Sequence, residues 1–419
     1  MMNQKQETLV AGLEIGTTKV VVLIGKILEN NNINIVGIGK CSSKGISVGN
    51  INDLNSVTKC IKKSIDEAEK TAQCNISSIY LSLSNKYIQC KNETGIVPIH
   101  NNEVTTKDVQ YAIYTAKSIK LNYDYNILHV IPQEYAIDQE QGIKNPIGLS
   151  GFRMTANVHL ITYRNHIKKN IIKAVKNCNL KIKKIIFSGL ASSQAILTSE
   201  EKSSGVCMID IGGGSIEIVI YTNGYIQHSE VIPYAGNTIT NDIACIFNTS
   251  FKNAEMIKIK YGSTVLSSFS IPELIEFSNL NGMNTKKIKK DILIEIIESR
   301  YSELLNIIND IIIKIQKKLF YSKQPYLIGS GIVITGGSAQ TKSLKCFAEK
   351  IFKMPVRIGV PNNVKTNNQN ILHPSYSTVI GLLKYSQKKY HYQNHNKTFI
   401  FKKWIYKIQN WFQKISNKH

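Results

Sequence analysis

The sequence lacks three features that would place the chain among secreted or membrane-spanning proteins. No metal or redox spacing relates its eight cysteines, which stand at residues 41, 60, 74, 90, 178, 207, 245 and 346. The first residues, MMNQKQETLV, contain no basic segment followed by an apolar one, so no signal sequence is expected. No window reaches the roughly 18 apolar residues of a membrane span. We therefore expect a cytoplasmic body with reduced, mostly buried cysteines.

Acidic residues are scarce, since 29 Asp and Glu stand against 52 Lys and Arg and give a formal charge of +23. This charge does not indicate a nucleic-acid partner, because the chain has no cluster of aromatic and Arg residues and no DNA-binding motif. Most of the basic residues are Lys, and Asn and Ile are also abundant, which is the bias that an AT-rich genome imposes.

Two segments repeat one pattern, namely a strand with an acidic residue, a turn rich in Gly, Ser or Thr, and a second strand. They are GLEIGTTKVVVLIG at residues 12–25 and GVCMIDIGGGSIEIVIY at residues 205–221. Their period and turn chemistry predict β-hairpins. A Walker loop or a dinucleotide loop would instead open a helix. One such hairpin in each half of the chain predicts a nucleotide held between the halves.

The turns supply the chemistry that a phosphate needs, because glycine lets successive backbone N–H groups converge on an anion and hydroxyls add further donors. Asp210, at the edge of the second turn, is a hard oxygen ligand suited to Mg²⁺ that retains waters, and Glu14 has the matching place in the first turn. The candidate phosphate-binding residues are Gly16, Thr17, Thr18, Lys19, Gly212, Gly213, Gly214 and Ser215.

A third element follows at residues 331–344, GIVITGGSAQTKSL, which reads as an apolar strand, a glycine corner and a helix. The small residues Gly336, Gly337 and Ser338 would let a flat purine lie close to the backbone. In this order after the two hairpins, the corner predicts a purine site. A purine nucleotide with Mg²⁺ is therefore the expected ligand, and the family resemblance given next implies that it is ATP.

The two hairpins and the glycine corner resemble those of the actin, Hsp70 and sugar-kinase superfamily. More narrowly, the chain resembles the FtsA family of bacterial actin-like cell-division proteins over nearly its whole length. The matching segments are LEIGTTKV, VIPQEYAID, GIKNPIGLSG, GLASS, VIPYAGN and TGGSAQ. The resemblance implies an α/β, actin-like (ribonuclease H-like) duplicated core with two inserted subdomains and a C-terminal amphipathic helix.

The expected division follows from the length, which exceeds a single hydrophobic core, and from the resemblance. The first-half core should comprise residues 1–84 and 164–200, and an α+β subdomain of the FtsA type should be inserted at 85–163. The second-half core should comprise residues 201–235 and 306–390, with a subdomain inserted at 236–305. A linker at 386–397 and a helix at 398–415 should complete the chain.

The resemblance also implies further site residues. Gly236 and Asn237 match the turn that approaches the phosphates, and Glu255 and Lys258 match the helical pair beside ribose and adenine; a solvated helix face is the alternative for that pair. ESRYSELLN matches the region that receives the C-terminal tail of FtsZ, which makes Arg300, Tyr301 and Leu304 candidate partner contacts. No catalytic residue is assigned, because Gly189 and Leu190 stand where relatives carry a Gln or Glu.

The last segment predicts a helix that lies on a membrane. Beyond Glu349 the chain has no acidic residue, and both of its tryptophans occur here. At 100° per residue the apolar side chains share an arc of about 120°, with lysines outside it, as in interfacial helices that face anionic lipid. A helix packed on the core or in a partner's groove is the alternative. The candidate membrane residues are Phe401, Trp404, Ile405, Ile408, Trp411, Phe412 and Ile415, with Lys402, Lys403 and Lys407.

Together these features predict an ATP-binding cell-division protein that polymerises on the cytoplasmic face of the inner membrane at the division site. The resemblance implies that it anchors the FtsZ ring, recruits later divisome proteins and hydrolyses ATP slowly at most. A phosphotransferase of the sugar-kinase type and an MreB-like filament protein remain alternatives. A peptide-binding chaperone is disfavoured, because no β-sandwich-like stretch follows the core.

Overall fold

The chain is built around two large β-sheets, one for each half. A computed structural model describes residues 8–28, 32–266, 273–278, 285–321 and 328–387. In these ranges a six-stranded sheet forms the first half and a five-stranded sheet the second, while a four-stranded sheet belongs to the segment inserted into the first half. The actin-like α/β fold expected from the sequence is therefore present.

The first half opens with a meander and a helix. The elements are β1 (Thr8–Ile15), β2 (Lys19–Ile27), β3 (Ile33–Ser42), the short hairpin of β4 (Ile46–Ser47) and β5 (Asn50–Ile51), α1 (Leu54–Ala72) and β6 (Ser78–Leu83). The Asp53 side chain accepts hydrogen bonds from the N–H groups of Asn55 and Ser56, and so caps α1. The helix lies directly on β3, because a Cβ atom at Gly39 would stand 1.8 Å from the Ser64 carbonyl oxygen.

The inserted segment forms its own small α+β unit. It comprises β7 (Gln89–Pro98), α2 (Thr106–Lys117), β8 (Tyr125–Ile137), β9 (Glu140–Ile143) and β10 (Arg153–Arg164), with the strand order β7-β10-β8-β9. Thr105 and Asp108 form a capping box at the start of α2. Buried residues on one face of the sheet, among them Met154 and Ala156, pack against α2 and give the unit a core of its own.

The chain then returns to the first sheet. The elements α3 (Asn165–Lys176), β11 (Lys181–Phe187), α4 (Ser188–Ile196) and α5 (Ser199–Ser204) follow, and β11 pairs in parallel with β6. Helix α4 consists largely of small residues and is almost wholly buried. Its buried hydroxyls at Ser192 and Ser193 are satisfied by hydrogen bonds inside the fold.

The second half repeats the hairpin design and adds helices. Its elements are β12 (Val206–Ile211), β13 (Ile216–Thr222), β14 (Tyr225–Ile232), α6 (Gly236–Phe247), α7 (Phe251–Tyr261), β15 (Leu274–Ser278), β16 (Thr285–Lys289), α8 (Lys290–Tyr321), β17 (Ile332–Thr335), α9 (Leu344–Phe352) and β18 (Val356–Ile358). The sheet order is β14-β13-β12-β17-β18. The expected boundary at residue 305 falls inside the continuous helix α8, which therefore belongs to both the insertion and the core.

The final described segment corrects one expected boundary. Strand β19 (Val364–Thr366) pairs in parallel with β3 of the first sheet, and the last helix, α10 (residues 377–387), packs there too. A Cβ atom at Gly12 of β1 would stand 3.1 Å from the Leu382 Cβ. Residues 364–387 thus join the first half, so the second-half core does not run to residue 390. The sequence could not show this, because a three-residue strand paired with a distant partner leaves no local pattern.

The expected linker at 386–397 begins with two residues that are part of α10, and its other residues lie outside the described ranges. The amphipathic helix expected at 398–415 lies outside them as well. In the described part of the chain, no helix combines the length and the apolar character needed to span a bilayer.

Candidate functional site

The two predicted hairpin turns meet face to face between the halves. The N–H of Gly16 bonds to the Lys19 carbonyl at 2.9 Å, and the N–H of Gly212 bonds to the Ser215 carbonyl at 3.0 Å. Each hairpin therefore turns over two residues, Thr17-Thr18 in the first and Gly213-Gly214 in the second. A Cβ atom at Gly213 would stand 2.2 Å from Thr18 Cγ2, and one at Gly214 would stand 2.3 Å from Thr17 Oγ1. The glycines are thus required for the two turns to approach this closely.

A small cavity lies behind these turns. Its volume is about 100 Å³, well below the roughly 300 to 1,000 Å³ of pockets that hold a whole small-molecule ligand. Every predicted residue of both turns lines it, and so does Gly337 of the glycine corner. The other lining residues are Glu14, Ile15, Gly49, Ser82, Ser84, Ser188, Glu217, Ser375 and Thr378. The sequence-predicted phosphate residues are therefore brought together in one closed site.

Buried carboxyl groups dominate the electrostatics of this site. Asp210 and Glu217 are directly opposite each other across the β12–β13 hairpin, and each is 5 % exposed. Burial, together with the neighbouring Asp210, raises the pKa of Glu217 from 4.5 to about 8. Glu217 Oε1 accepts hydrogen bonds from Ser215 Oγ at 2.7 Å and from Ser84 Oγ of the first half. A neutral Glu217 thus joins the two halves beside the turns.

Glu14 is the third carboxyl group, and it comes from the first hairpin. Burial raises its pKa from 4.5 to about 7, although the nearby Lys19 opposes the shift. Its Oε2 atom is buried and has no hydrogen-bond partner, and an orphaned buried oxygen of this kind is costly. Lys19 is held by the returning segment, since its Nζ donates to the Ser375 carbonyl and lies 4.3 Å from the centre of the Tyr376 ring.

Asp210 lies one layer behind the cavity and is not among the residues that line it. Its Oδ2 accepts a hydrogen bond from Ser192 Oγ at 2.5 Å, and burial raises its pKa. The chain leaves room for it through Gly336, where a Cβ atom would stand 2.4 Å from Asp210 Oδ1 and where φ is +94°. The glycine corner is therefore needed to admit this carboxylate.

The predicted nucleoside residues of the second half form one hydrogen-bonded network. Gly212 accepts bonds through its carbonyl oxygen from the N–H of Gly236 at 3.2 Å and from Ser338 Oγ at 2.9 Å, and the Asn237 N–H donates to the Gly213 carbonyl at 2.7 Å. The network fixes the turn at residue 236 against both the second hairpin and the glycine corner.

Two helical residues complete this network. Lys258 Nζ donates to the Gly236 carbonyl at 2.9 Å and pairs with Glu255 at 2.7 Å, while the Glu255 carboxylate also accepts from Thr240. Burial lowers the pKa of Lys258, although Glu255 opposes the shift. These two residues do not line the cavity, and their contacts hold the turn at residue 236 in place.

At the start of α4, the structure places neither Gly189 nor Leu190 in the cavity, which is lined there by Ser188. Two acidic residues line it, Glu14 and Glu217, and the second of these was missed as a site residue by the sequence reasoning. A signal was present, because Glu217 is the one acidic residue in the otherwise apolar strand IEIVIY. Its position opposite Asp210 follows once the hairpin register is known.

The donor set fits a phosphate-bound magnesium better than a metal held by protein ligands alone. In the described ranges no group of three or more His, Cys, Asp or Glu side chains is arranged to hold a metal ion. Mg²⁺ commonly keeps waters and takes one or two carboxylates together with substrate phosphates. Glu14, with an unsatisfied oxygen beside the first turn, fits that role as a cavity-lining carboxylate, and Asp210 could reach it only through water.

The predicted partner residues separate into two groups. Tyr301 and Leu304 are 1 % and 3 % exposed and belong to the core of the second half, where Tyr301 Oη donates to the Ser338 carbonyl at 2.9 Å. Neither side chain is accessible to a partner, so the expectation is corrected for these two. They face inward because α8 places its apolar side toward the sheet.

Arg300 alone lies at the surface, beside a groove of about 430 Å³ between α6 and α8. Asp242 holds its guanidinium through two bonds of 2.6 and 3.1 Å, and Glu303 contacts it as well. The groove is lined by Asp242, Cys245, Ile246, Glu295, Ile296, Ser299, Arg300 and Glu303.

Two family models match the chain. The model described as cell division protein FtsA matches residues 207–381, and the model of the SHS2 domain inserted in FTSA matches residues 85–162. The second range covers the unit formed by β7 to β10 and α2. A curated relative, cell division protein FtsA of Buchnera aphidicola subsp. Schizaphis graminum (strain Sg), is 52% identical over 416 residues, which is 99% of this chain and 100% of the relative.

Solved structures share the fold at low identity. A chain of the PilM-PilN type IV pilus biogenesis complex aligns with a TM-score of 0.63 at 14% identity, covering 91% of this chain and 99% of that one. MreB5 of Spiroplasma citri bound to ADP aligns with a TM-score of 0.54 at 15% identity, covering 93% of this chain and 98% of that one. These likenesses show the actin-like fold alone. From the family models and the full-length relative, we conclude that the chain belongs to the cell division protein FtsA family.

Proposed function

We propose that the chain binds ATP with Mg²⁺ between its halves and uses the bound nucleotide to favour a closed, self-assembling form. The observation that carries the proposal is the meeting of two acid-bearing glycine hairpins, with Thr17 and Thr18 against Gly213 and Gly214. Backbone N–H groups of such turns bind anions. The ADP-bound MreB5 structure of the same fold supports a nucleotide as the ligand.

Magnesium would neutralise phosphate charge in a site that already contains Glu14 and Glu217. The unsatisfied Oε2 atom of Glu14 would contact the ion or one of its waters, and Asp210 would orient waters from behind. The Lys258–Gly236–Ser338 network would hold the nucleoside side of the ligand. Gly189 and Leu190 offer no polar side chain that could orient an attacking water, so we propose slow hydrolysis at most.

The cavity of about 100 Å³ cannot contain a nucleoside triphosphate. The halves must therefore separate to admit ATP, and the contacts to be broken include the two turns and the Ser84–Glu217 hydrogen bond. Closure around a bound nucleotide would then set the relative position of the two halves. Because contacts between subunits of a polymer depend on that position, nucleotide binding would favour or disfavour assembly.

Calorimetry with ATP and Mg²⁺ tests this proposal. We expect the wild type to bind, and we expect Asp210→Ala to bind at least tenfold more weakly, because the carboxylate that would orient the waters of the magnesium ion is lost. The matched control is Asp66→Ala, an exposed acid on α1, which should bind as the wild type does. No heat of binding from the folded wild-type protein with ATP or ADP would refute the nucleotide site.

We further propose that residues 398–415 tether the chain to the cytoplasmic face of the inner membrane at the division site. The support is the sequence pattern of apolar and Lys residues described above. Each Lys near an anionic leaflet contributes about 1 kcal/mol, so a single tail should bind reversibly and an assembly of many tails should bind far more tightly.

Flotation with anionic vesicles tests the tether. Deletion of residues 398–419 should release the protein, and replacement of Lys402, Lys403 and Lys407 by Gln should weaken binding by about 3 kcal/mol in total. Neutral vesicles serve as the matched control. Binding of the deleted chain equal to that of the wild type would reject the tether.

We propose that the groove beside Arg300 receives the C-terminal tail of FtsZ and so anchors the FtsZ ring, to which later divisome proteins are recruited. Ile246 and Ile296 offer apolar contacts in this groove. Its carboxylates oppose an acidic peptide, so Arg300 would have to exchange its bonds with Asp242 for bonds with the tail. That exchange is an ion-pair swap in a partly exposed site.

Binding of a fluorescent FtsZ tail peptide tests the groove. We expect Arg300→Ala to weaken binding and Asp242→Asn to strengthen it, because the second change frees the guanidinium. Lys107→Ala, which removes an exposed cation of the inserted unit, is the control. If Asp242→Asn weakens binding as much as Arg300→Ala does, then the ion pair supports the groove and does not compete with the peptide.

A further inference from the structure

The inserted unit is joined to the second half by a polar seam along β14. Asn92 Nδ2 of β7 donates to the Gln227 carbonyl at 3.0 Å, and His159 of β10 contacts Ser229 Oγ at 2.9 Å. Gln133 Nε2 of β8 donates to the Ile226 carbonyl at 2.5 Å. Strand β14 is the edge of its sheet, so these side chains replace a paired strand along that edge.

One cysteine of this seam has an environment unlike that of a packing residue. Cys90 Sγ, on β7, lies 3.5 Å from His228 Nδ1 and accepts a hydrogen bond from the Ser229 N–H at 3.5 Å. The other nitrogen of the ring, His228 Nε2, lies 2.9 Å from the Glu230 carboxylate. A thiol, an imidazole and a carboxylate thus stand in line, with the carboxylate orienting the ring, as in activated nucleophiles generally.

The electrostatics of the three groups agree with this geometry. Burial disfavours charge at both residues, yet the bonds with Cys90 and Glu230 raise the pKa of His228 to about 9, and the bonds from His228 and Ser229 lower the pKa of Cys90. His159, the other titratable ring in the seam, is kept neutral because burial lowers its pKa to about 3. The contacts therefore favour a proton on the ring and a charge on the sulfur.

The residue that follows Cys90 on β7, Lys91, is paired with Glu93, so these two charges offset each other. Cys90 is half-buried, whereas Cys245 and Cys346 are exposed but have no such ring in contact. Exposure alone would rank Cys90 below both for modification, while the chemistry of its neighbours ranks it above them.

We propose that Cys90 is a covalent modification site, whose sulfur is activated by its contact with His228 and, through that ring, with Glu230, and that it exchanges with low-molecular-weight disulfides. In the step, the Cys90 sulfur attacks one sulfur of the small disulfide. A new Cys90 disulfide forms, the original sulfur–sulfur bond breaks, and the second half of the reagent leaves as a thiolate that takes a proton from solvent. The small disulfide is the oxidant, and a free thiol reverses the reaction.

Modification would act on the seam itself. The added group must occupy space where β7 faces β14, so the bonds from Asn92 to Gln227 and from Ser229 to Cys90 would be lost. The inserted unit would then be less firmly held against the second half. Through this site, the ratio of small disulfides to free thiols in solution would change how firmly the inserted unit is held against the second half.

Alkylation of the full-length protein with iodoacetamide, quantified by peptide mass spectrometry between pH 6 and 7, tests the proposal. An ordinary thiol with a pKa near 8.5 should react about tenfold faster at the higher pH, because its thiolate fraction rises tenfold. We expect that rise for Cys245 and Cys346 in the same sample. For Cys90 we expect a smaller rise than for those two, since its contacts with His228 and Ser229 favour the ionised sulfur.

His228→Asn should restore the tenfold rise at Cys90 while leaving the other two cysteines unchanged, and Glu230→Gln should lie between. Incubation with oxidised glutathione should then add one glutathione at Cys90, removable by dithiothreitol and absent from Cys90→Ser. A tenfold rise at Cys90 in the wild type, or no labelling of Cys90 while Cys245 is fully labelled, would overturn the proposal. Circular dichroism of each variant separates these outcomes from loss of folding.

Discussion

Replacement of Glu217 by Gln should change how the stability of the ligand-free protein depends on pH. The native carboxyl group holds its proton up to a pKa of about 8, whereas the unfolded chain releases it near 4.5. Between these values the native state binds more protons than the unfolded state, so the free energy of unfolding falls as pH rises. One group contributes up to about 1.4 kcal/mol per pH unit.

Gln is always neutral and of nearly the same shape, so it keeps hydrogen bonds with Ser84 and Ser215 without the titration. Over the three units from pH 5 to pH 8, the stability of Glu217→Gln relative to the wild type should therefore rise by up to about 4 kcal/mol. At pH 5 Glu217 is neutral in the native state and about three-quarters ionised in the unfolded chain, so its titration separates the two proteins by less than about 1 kcal/mol there.

Urea unfolding at pH 5, 6, 7 and 8, without nucleotide, measures this difference. Glu103→Gln, which removes an exposed carboxylate of the inserted unit, is the control and should follow the wild-type curve. Parallel curves for the wild type and Glu217→Gln would refute the assignment of a proton to Glu217. They would also remove the reason for treating its bond to Ser84 as a neutral one.

Three further changes test the packing around the site. Gly336→Ala should lower the free energy of unfolding by about 2 kcal/mol or more, because φ is +94° and the new methyl would meet Asp210; urea unfolding measures this. Tyr301→Phe should cost about 1 to 2 kcal/mol in the same assay, since the Ser338 carbonyl loses a buried donor, and a loss below 0.5 kcal/mol would contradict it. Lys258→Met should weaken ATP binding about tenfold by freeing the Gly236 turn, and calorimetry that shows unchanged affinity would disprove that role.

The sequence predicted those parts of the site that local patterns encode. Both hairpins follow from alternating β-branched residues and two-residue turns. The contacts between the turns are non-local, so the closeness of Thr17 and Gly214 could be expected only from the family resemblance.

Other features depend on long-range packing that leaves no trace in a short window. The inward direction of Tyr301 and Leu304 depends on which face of α8 meets the sheet, and an amphipathic helix of mixed composition does not show this by itself. The position of Asp210 behind the cavity depends on Ser192, which lies in a different half of the chain. The Cys90–His228 pair joins residues 138 positions apart and could not be foreseen.

The return of β19 and α10 to the first sheet determines where the rest of the chain is attached. The segment after residue 387 is attached to the half that carries Thr17 and Lys19. The groove beside Arg300 belongs to the other half. If the halves separate to bind nucleotide, as proposed, then a membrane anchor in the segment beyond residue 387 would stay with the first half. The half with the groove beside Arg300 would then move relative to the membrane, so that binding of a nucleotide would change its height and angle above the lipid surface.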